Sequence, residues 1–444
     1  MSNHTDRYAK RSLPPLLGNR YLTFNTVVRC RQVEFSRSHF WGDDESAWHT
    51  PQTAEKFRSV IAKSWPGGRI SWAMSWCALI DPRPNYRDLR TLLVEFHKTY
   101  GDDIIFVPGG FHACRYNSRD QINRDLHDSS EMISEMVGKG FRPPSTVALF
   151  LPAACLKFLA EKEGIHVSQG NCWSSHGVDM SDQEGSVAYP YYPSTEHSCK
   201  PAQGPDDFID CVNLDGWTCD LLSARKTGWG PEFNSRLGVG PIETIFAHGR
   251  EIGLKQMLFT TGVHFDRGFE LNKFAWVVNL WEQGLFGGRG AEGLKDFDTM
   301  GEWLDGILQR WPDAHMPTMG EFGHIWRRHY RDNSFDYRFE QHGSGVGASE
   351  SNLEIKWFMN KSFRLALVRD WTINGPEKVI DFTRYDLPAR EPEDAGDKEA
   401  VRDWSIMNRI NQKQTRPQDI PTALSNFAPE DRKLIARYYP ELFA

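Results

Sequence analysis

From Tyr21 to Met319 the chain alternates short apolar runs rich in Val, Ile, Phe and Thr with longer segments whose apolar residues recur every three or four positions. That alternation constrains the fold more than any other feature. Runs of the first kind read as strands and segments of the second as amphipathic helices. Strands are expected near 22–28, 70–76, 104–107, 146–151, 165–168, 209–214, 257–261 and 316–319. Helices are expected around Thr53–Lys63, on the Leu89, Leu93 and Phe96 face, from Ile122 to Val137 and around Ile242–Ile252. The series Leu271, Phe274, Ala275, Val278, Leu285 also reads as a helix, as does Phe297–Leu308. Strands separated by helices pair in parallel through crossovers. Seven or eight such units close more naturally into a barrel than stay open. The expected fold is therefore α/β: a parallel (β/α)7-8 barrel over residues 20–325, with an open doubly wound sheet as the alternative.

Beyond residue 325 the pattern changes. Tyr337–Glu340, Leu353–Met359, Arg364–Arg369 and Val379–Phe382 read as strands with no helices between them. This predicts a small antiparallel β module over 326–387. Pro388–Asp403 is charged and contains Pro, so 388–444 reads as a linker followed by a helical tail.

Several function classes lose support. A net charge of −7 without a long basic run argues against a nucleic-acid partner. No apolar run approaches the roughly 20 residues of a membrane helix, and the first twenty residues lack a secretory apolar stretch. The expectation is a cytoplasmic protein, or a secreted one whose leader has been removed. Its oligomeric state is open. The 8 cysteines form no Cys-x-x-Cys pair and read as buried free thiols. Gly288–Gly293 fits G-x-G-x-x-G, but it follows a segment read as helix, not a strand, so it is not a dinucleotide site. With no Walker sequence and no G-x-S-x-G elbow, nothing calls for a cofactor.

The chemistry is expected where strands end, because ligands of parallel α/β folds bind there. Asp215 follows Val212-Asn213-Leu214, Asp266 follows Gly262-Val263-His264-Phe265, and Glu321 follows the stretch ending at Met319. Carboxyls at such positions would converge on one rim. Glycosidic cleavage needs two of them, one to protonate the leaving oxygen and one to act as base or nucleophile. Glu321, beside Phe322, suits the acid, and Asp215 the nucleophile or base, with Asp266 able to replace either. Each could instead cap a helix or pair with Arg.

Tryptophan, with 16 copies, is unusually frequent, and indole faces stack on the C–H faces of sugars. Trp76, at a strand end, and Trp173, Trp217 and Trp229, in Gly-rich contexts, are expected to bind substrate, with Glu232 as a loop carboxylate. The stretch from 170 to 208 is too long for an ordinary connection and too aromatic for disorder. It is expected to cover the mouth and bring His176 and Tyr191 to the ligand. His112 and His264 complete the set. Some of these histidines could hold a metal, although their spacing matches no tight metal motif.

Gly109-Gly110-Phe111-His112, the helix to Gly138, Phe141-Arg142-Pro143-Pro144-Ser145 and Gly164-Ile165 resemble, in that order, the NodB-like polysaccharide deacetylase superfamily. The resemblance covers roughly residues 70–180. It implies an incomplete (β/α) barrel, a topology also similar to that of several glycosidase families. The paired metal-binding aspartates of those deacetylases have no counterpart in Ser71-Trp72-Ala73-Met74-Ser75-Trp76, and His112 has no evident partner histidine. The departures weigh against metal-dependent deacetylation. A glycoside hydrolase or related glycan-cleaving enzyme is thus expected. The alternatives are a metal-dependent deacetylase or amide hydrolase and a non-catalytic carbohydrate-binding protein.

Overall fold

The computed structural model describes residues 13–34, 37–108, 113–138, 140–147, 151–169, 185–214, 220–225, 241–283, 297–394, 404–412 and 415–444. Among the described residues nine strands precede residue 300: β1 (Arg20–Val28), β2 (Arg31–Glu34), β3 (Phe40–Asp44), β4 (Ser71–Met74), β5 (Asp103–Phe106), β6 (Thr146–Val147), β7 (Val167–Gln169), β8 (Val212–Asn213) and β9 (Ala275–Leu280). Seven of them form one parallel sheet in the order β8-β7-β6-β5-β4-β1-β9, and β2 and β3 form a separate hairpin.

β1 is the spine of this sheet. Its Leu, Phe, Thr and Val side chains suit a strand buried on both faces. On one face Phe24 packs on Phe57 of helix Pro51–Ser64 and on Trp303 of helix Phe297–Arg310. On the other face Tyr21 meets Phe322 of helix Met319–His329.

The sheet is curled. Asn25 on β1 donates through Nδ2 to Gln169 Oε1 at the end of β7, 3.1 Å away. Those strands stand four places apart in the sheet, which in a flat sheet would separate them by about 19 Å at the usual strand spacing. Helix Met319–His329 lies in the resulting trough: Phe322 stacks on Trp276 of β9, and Gly323 sits against Val167 of β7. A β-carbon on Gly323 would lie 2.5 Å from both Val167 methyls. Gly323→Ala is therefore expected to destabilise the fold by about 1–3 kcal/mol, more than the helix-propensity gain of about 1 kcal/mol. Adding Val167→Ala should restore part of the loss. Urea midpoints of the two variants test this; a single variant as stable as wild type would show that the helix is not seated so closely.

The parallel sheet does not close into a barrel. Residues 257–261, read above as a strand, belong to helix Arg250–Gly262, and the seventh strand is β9, inside the stretch read as a helix. A continuous apolar run such as Ala-Trp-Val-Val-Asn-Leu satisfies helical spacing and a doubly buried strand alike. Near 316–319 one residue, His315, bridges to Tyr21 before Thr318 caps the next helix. The opening between edge strands β8 and β9 is spanned by Tyr189–Tyr191. Tyr191 exchanges backbone hydrogen bonds with Asn213, while the Tyr189 hydroxyl accepts from the Trp276 N–H and donates to its carbonyl.

A second, antiparallel sheet follows the order β10 (Asp336–His342), β11 (Leu353–Asn360), β12 (Phe363–Asp370), β13 (Lys378–Arg384), β14 (Ile410–Asn411). Alternating burial along β10 puts Tyr337 and Phe339 against Tyr189. The other side of this sheet, through Phe363 and Phe382, is covered by Ile435 and Tyr439 at helix Pro429–Tyr438. In the described part of the stretch read as a linker, Glu391 accepts the N–H groups of Ala153 and Ser198 and pairs with Arg119 at 3.1 Å. Among the described residues no helix is long and apolar enough to cross a membrane.

Candidate active site

The carboxyl ends of the parallel strands carry a polar cluster assembled from distant parts of the chain. β1 exits through Arg29, β9 through Trp281, Glu282 and Gln283, and the β2–β3 hairpin leads to Glu45 and His49. Arg29 grips Glu45 through Nε and Nη2 at 2.7 and 3.1 Å, and Glu282 through Nη1 and Nη2 at 3.2 and 3.0 Å. Gln283 donates its backbone N–H to Thr26 Oγ1 and its amide to His49 Nδ1. His49 Nε2 lies 3.6 Å from Glu45 Oε2. Two carboxylates therefore share one guanidinium. Trp281 stacks on Phe24 and Trp303 in the helical layer, while the next residue, Glu282, reaches Arg29.

Burial raises the proton affinity of Glu45, but the adjacent His49 and Arg29 outweigh it and hold its carboxyl down at about 2. Burial lowers the pKa of His49 below its ordinary 6.5, so the imidazole is neutral. Both shifts give the same sign. Below pH 6.5 the unfolded chain takes up a proton that folded His49 refuses, and below 4.5 it takes up one that Glu45 refuses. Stability should be full above pH 6.5 and fall on acidification by up to about 1.4 kcal/mol per pH unit for each group. His49→Gln should flatten the decline between pH 6.5 and 5 and leave the later one, as read by thermal unfolding across that range. An unchanged slope in the variant would overturn the assignment.

The hairpin is tied down by Glu34, which accepts the N–H groups of Cys30, Arg31 and Cys77. Burial pushes the Cys30 thiol up to about 12, in keeping with inert thiols. Near the trough, Asn25 Oδ1 is buried without a hydrogen-bond partner, as is Gln283 Oε1.

Of the residues singled out from the sequence, Asp215, His112, Trp173, His176, Trp217, Trp229 and Glu232 lie outside the described residues. In chain order Asp215 is the residue after Leu214, whose N–H bonds the Ser168 carbonyl. Glu321 is not at a strand's carboxyl end. It is the N3 residue of a capping box with Thr318, fully buried, and paired at 2.7 Å with Arg69, which precedes β4. Its carboxylate thus works at the amino end of the sheet, and its role as general acid is withdrawn. Asp266 lies in a π-helical turn, Val263–Gly268, and is held by Arg310 and by Trp311 Nε1 in the outer helical layer. It too falls outside the mouth. His264 is buried in the same turn against Phe339 of β10. Trp76 starts the short helix after β4, at the right end, but Arg37 covers its ring at 3.5 Å. Tyr191 is fully buried; its hydroxyl donates to the Ser198 carbonyl and accepts from Asn213, so it builds the wall beside β8.

Sequence reasoning missed Arg29, Glu45, His49 and Glu282. Only Glu282 left a usable signal, a carboxylate two residues after an apolar run. Among the described residues no group of three His, Cys, Asp or Glu side chains is placed to hold a metal ion.

Comparison with known proteins gives two family matches. A domain of unknown function with a solved structure, DUF3863, matches residues 14–359, and a second, DUF3864, matches residues 364–442. Among solved structures, a Parabacteroides distasonis protein provisionally described as a glycoside hydrolase/deacetylase is 47% identical, with a TM-score of 0.91 over 96% of this chain and 99% of that one. A GH57 branching enzyme of Thermococcus kodakaraensis is 13% identical with a TM-score of 0.42, over 68% of this chain and 70% of that one. Among curated proteins none matches.

Proposed function

The chain belongs to the DUF3863 family, and on that premise we propose that it is a glycan-cleaving enzyme, a glycoside hydrolase whose paired carboxylates work at the carboxyl mouth of the half-barrel. The observation that carries this reading is the placement of the two edge strands. β8 and β9 stand at opposite ends of the sheet, yet Tyr189–Tyr191 links them across one opening. The residues that follow them in the chain include Asp215 after β8 and Glu282 after β9. Glycosidic cleavage requires two carboxyls, one to exchange a proton with the leaving oxygen and one to act as nucleophile or base. Glu282, held through both oxygens by Arg29, is the positioned carboxylate and serves as nucleophile or base. Asp215 then exchanges the proton with the glycosidic oxygen, the reverse of the role its sequence context suggests. The description of the 47% identical P. distasonis protein is consistent with this class.

That description also includes deacetylation, so the test must separate the two. Incubating the protein with a panel of oligosaccharides, acetylated and not, should release new reducing ends and no acetate. Acetate release without chain cleavage, or no product from any glycan, would overturn the proposal.

A further inference from the structure

Among the described residues four arginines are buried: Arg29, Arg58, Arg225 and Arg364. Three of them use the same edge of the guanidinium, Nε with Nη2, to hold a carboxylate. Arg29 holds Glu45 at 2.7 and 3.1 Å, Arg58 holds Asp102 at 2.8 and 3.2 Å, and Arg364 holds Asp381 at 3.0 and 2.7 Å. Arg225 departs from this pattern. It is 2% exposed, yet its Nε and Nη2 have no hydrogen-bond partner. Its remaining nitrogen, Nη1, donates to the Thr415 carbonyl at 2.8 Å and so fixes the plane of the fork.

A buried cation without a counter-ion is expensive, and buried polar groups are rarely left unbonded. Glu350 is near enough to favour the charged form but makes no ion pair with Arg225, and burial still lowers the guanidinium pKa to about 10. The Nε–Nη2 edge presents two parallel donors that match the two oxygens of a carboxylate. Arg225 ends the short helix Leu221–Arg225, which follows β8 and whose first N–H is held by Gln341 of β10. The buried, unbonded edge therefore lies where the half-barrel meets the antiparallel sheet.

We propose that the Nε–Nη2 edge of Arg225 is a receptor for the carboxylate of an acidic sugar, a uronate unit of the glycan. The sugar identity rests on the glycan-cleaving reading; the carboxylate receptor does not. Glucuronate and galacturonate should raise the melting temperature of the intact protein in a saturable way, and glucose at equal concentration should not. Arg225→Met should abolish that rise and melt at or above the wild-type temperature without ligand, since it removes an unpaired buried charge. Arg225→Lys keeps the charge without the fork and should bind glucuronate at least about tenfold more weakly. The lysine variant decides the matter if the methionine one does not fold. No uronate shift in wild type, equal shifts in wild type and variants, or a shift with inorganic phosphate or sulfate alone would each overturn the proposal. A uronate shift without cleavage of any glycan would leave the receptor standing and remove the hydrolase reading.

Discussion

Replacing Asp215 with asparagine is expected to lower turnover on a cleaved glycan by about 10²–10⁴-fold, the usual contribution of a positioned proton donor or acceptor. The amide keeps the shape of the side chain and loses the proton chemistry. Folding should survive, because the preceding backbone is held independently: Val212 and Leu214 donate to His166 and Ser168 carbonyls, and Asn213 is paired with Tyr191. Glu282→Gln should lose turnover on the same scale. Glu321→Gln should behave in the opposite way. Its carboxylate accepts from the Thr318 N–H and pairs with Arg69, so the amide should lower stability by about 1–3 kcal/mol and leave turnover per folded molecule near wild type. Turnover and melting temperature measured on the three variants together make the test. Near-normal turnover in Asp215→Asn would end its assignment, and a selective loss of turnover in Glu321→Gln would restore Glu321 to the site.

The contrast between Asp215 and Glu321 marks what was legible in the sequence. Strands β1, β4 and β5 and the four long strands of the second sheet carry their own local signal, β-branched and aromatic residues bounded by turns, and lie where that signal puts them. β9 does not, because a strand buried on both faces has no alternation to reveal it. Glu321 follows Thr318 at capping-box spacing, a local pattern that competes with any reading as a strand-end acid, and the cap is what forms. His264-Phe265-Asp266 would share a face only if extended, and in a π-helical turn it does not. The cluster around Arg29 was invisible for a different reason. Its partners stand 16 and 253 residues away, and no local spacing encodes a contact made by the curl of a sheet.

That same remoteness makes Arg29 the position where a single substitution should cost most. Arg29→Met is expected to destabilise the fold by about 3–5 kcal/mol, the usual penalty for removing one partner of a buried ion pair. Methionine can fill the space of the aliphatic stem, so the loss is electrostatic. Glu45 is 1% exposed and the Glu282 side chain 15% exposed, and without the guanidinium two carboxylates face each other with a neutral His49 as their nearest remaining aid. Three segments would then separate: the end of β1, the turn after the β2–β3 hairpin and the end of β9. Adding Glu45→Gln should recover part of the lost stability, because the deeper of the two stranded charges disappears; the double variant should therefore be more stable than the sum of the single losses. Adding Glu282→Gln instead should recover less, since that carboxylate reaches solvent. Urea denaturation of the three single and two double variants gives the couplings directly. Strict additivity between Arg29→Met and Glu45→Gln would show that the pair is not an energetic unit, and that β1 and the hairpin are held together by other contacts, among them those of Glu34 and Gln283.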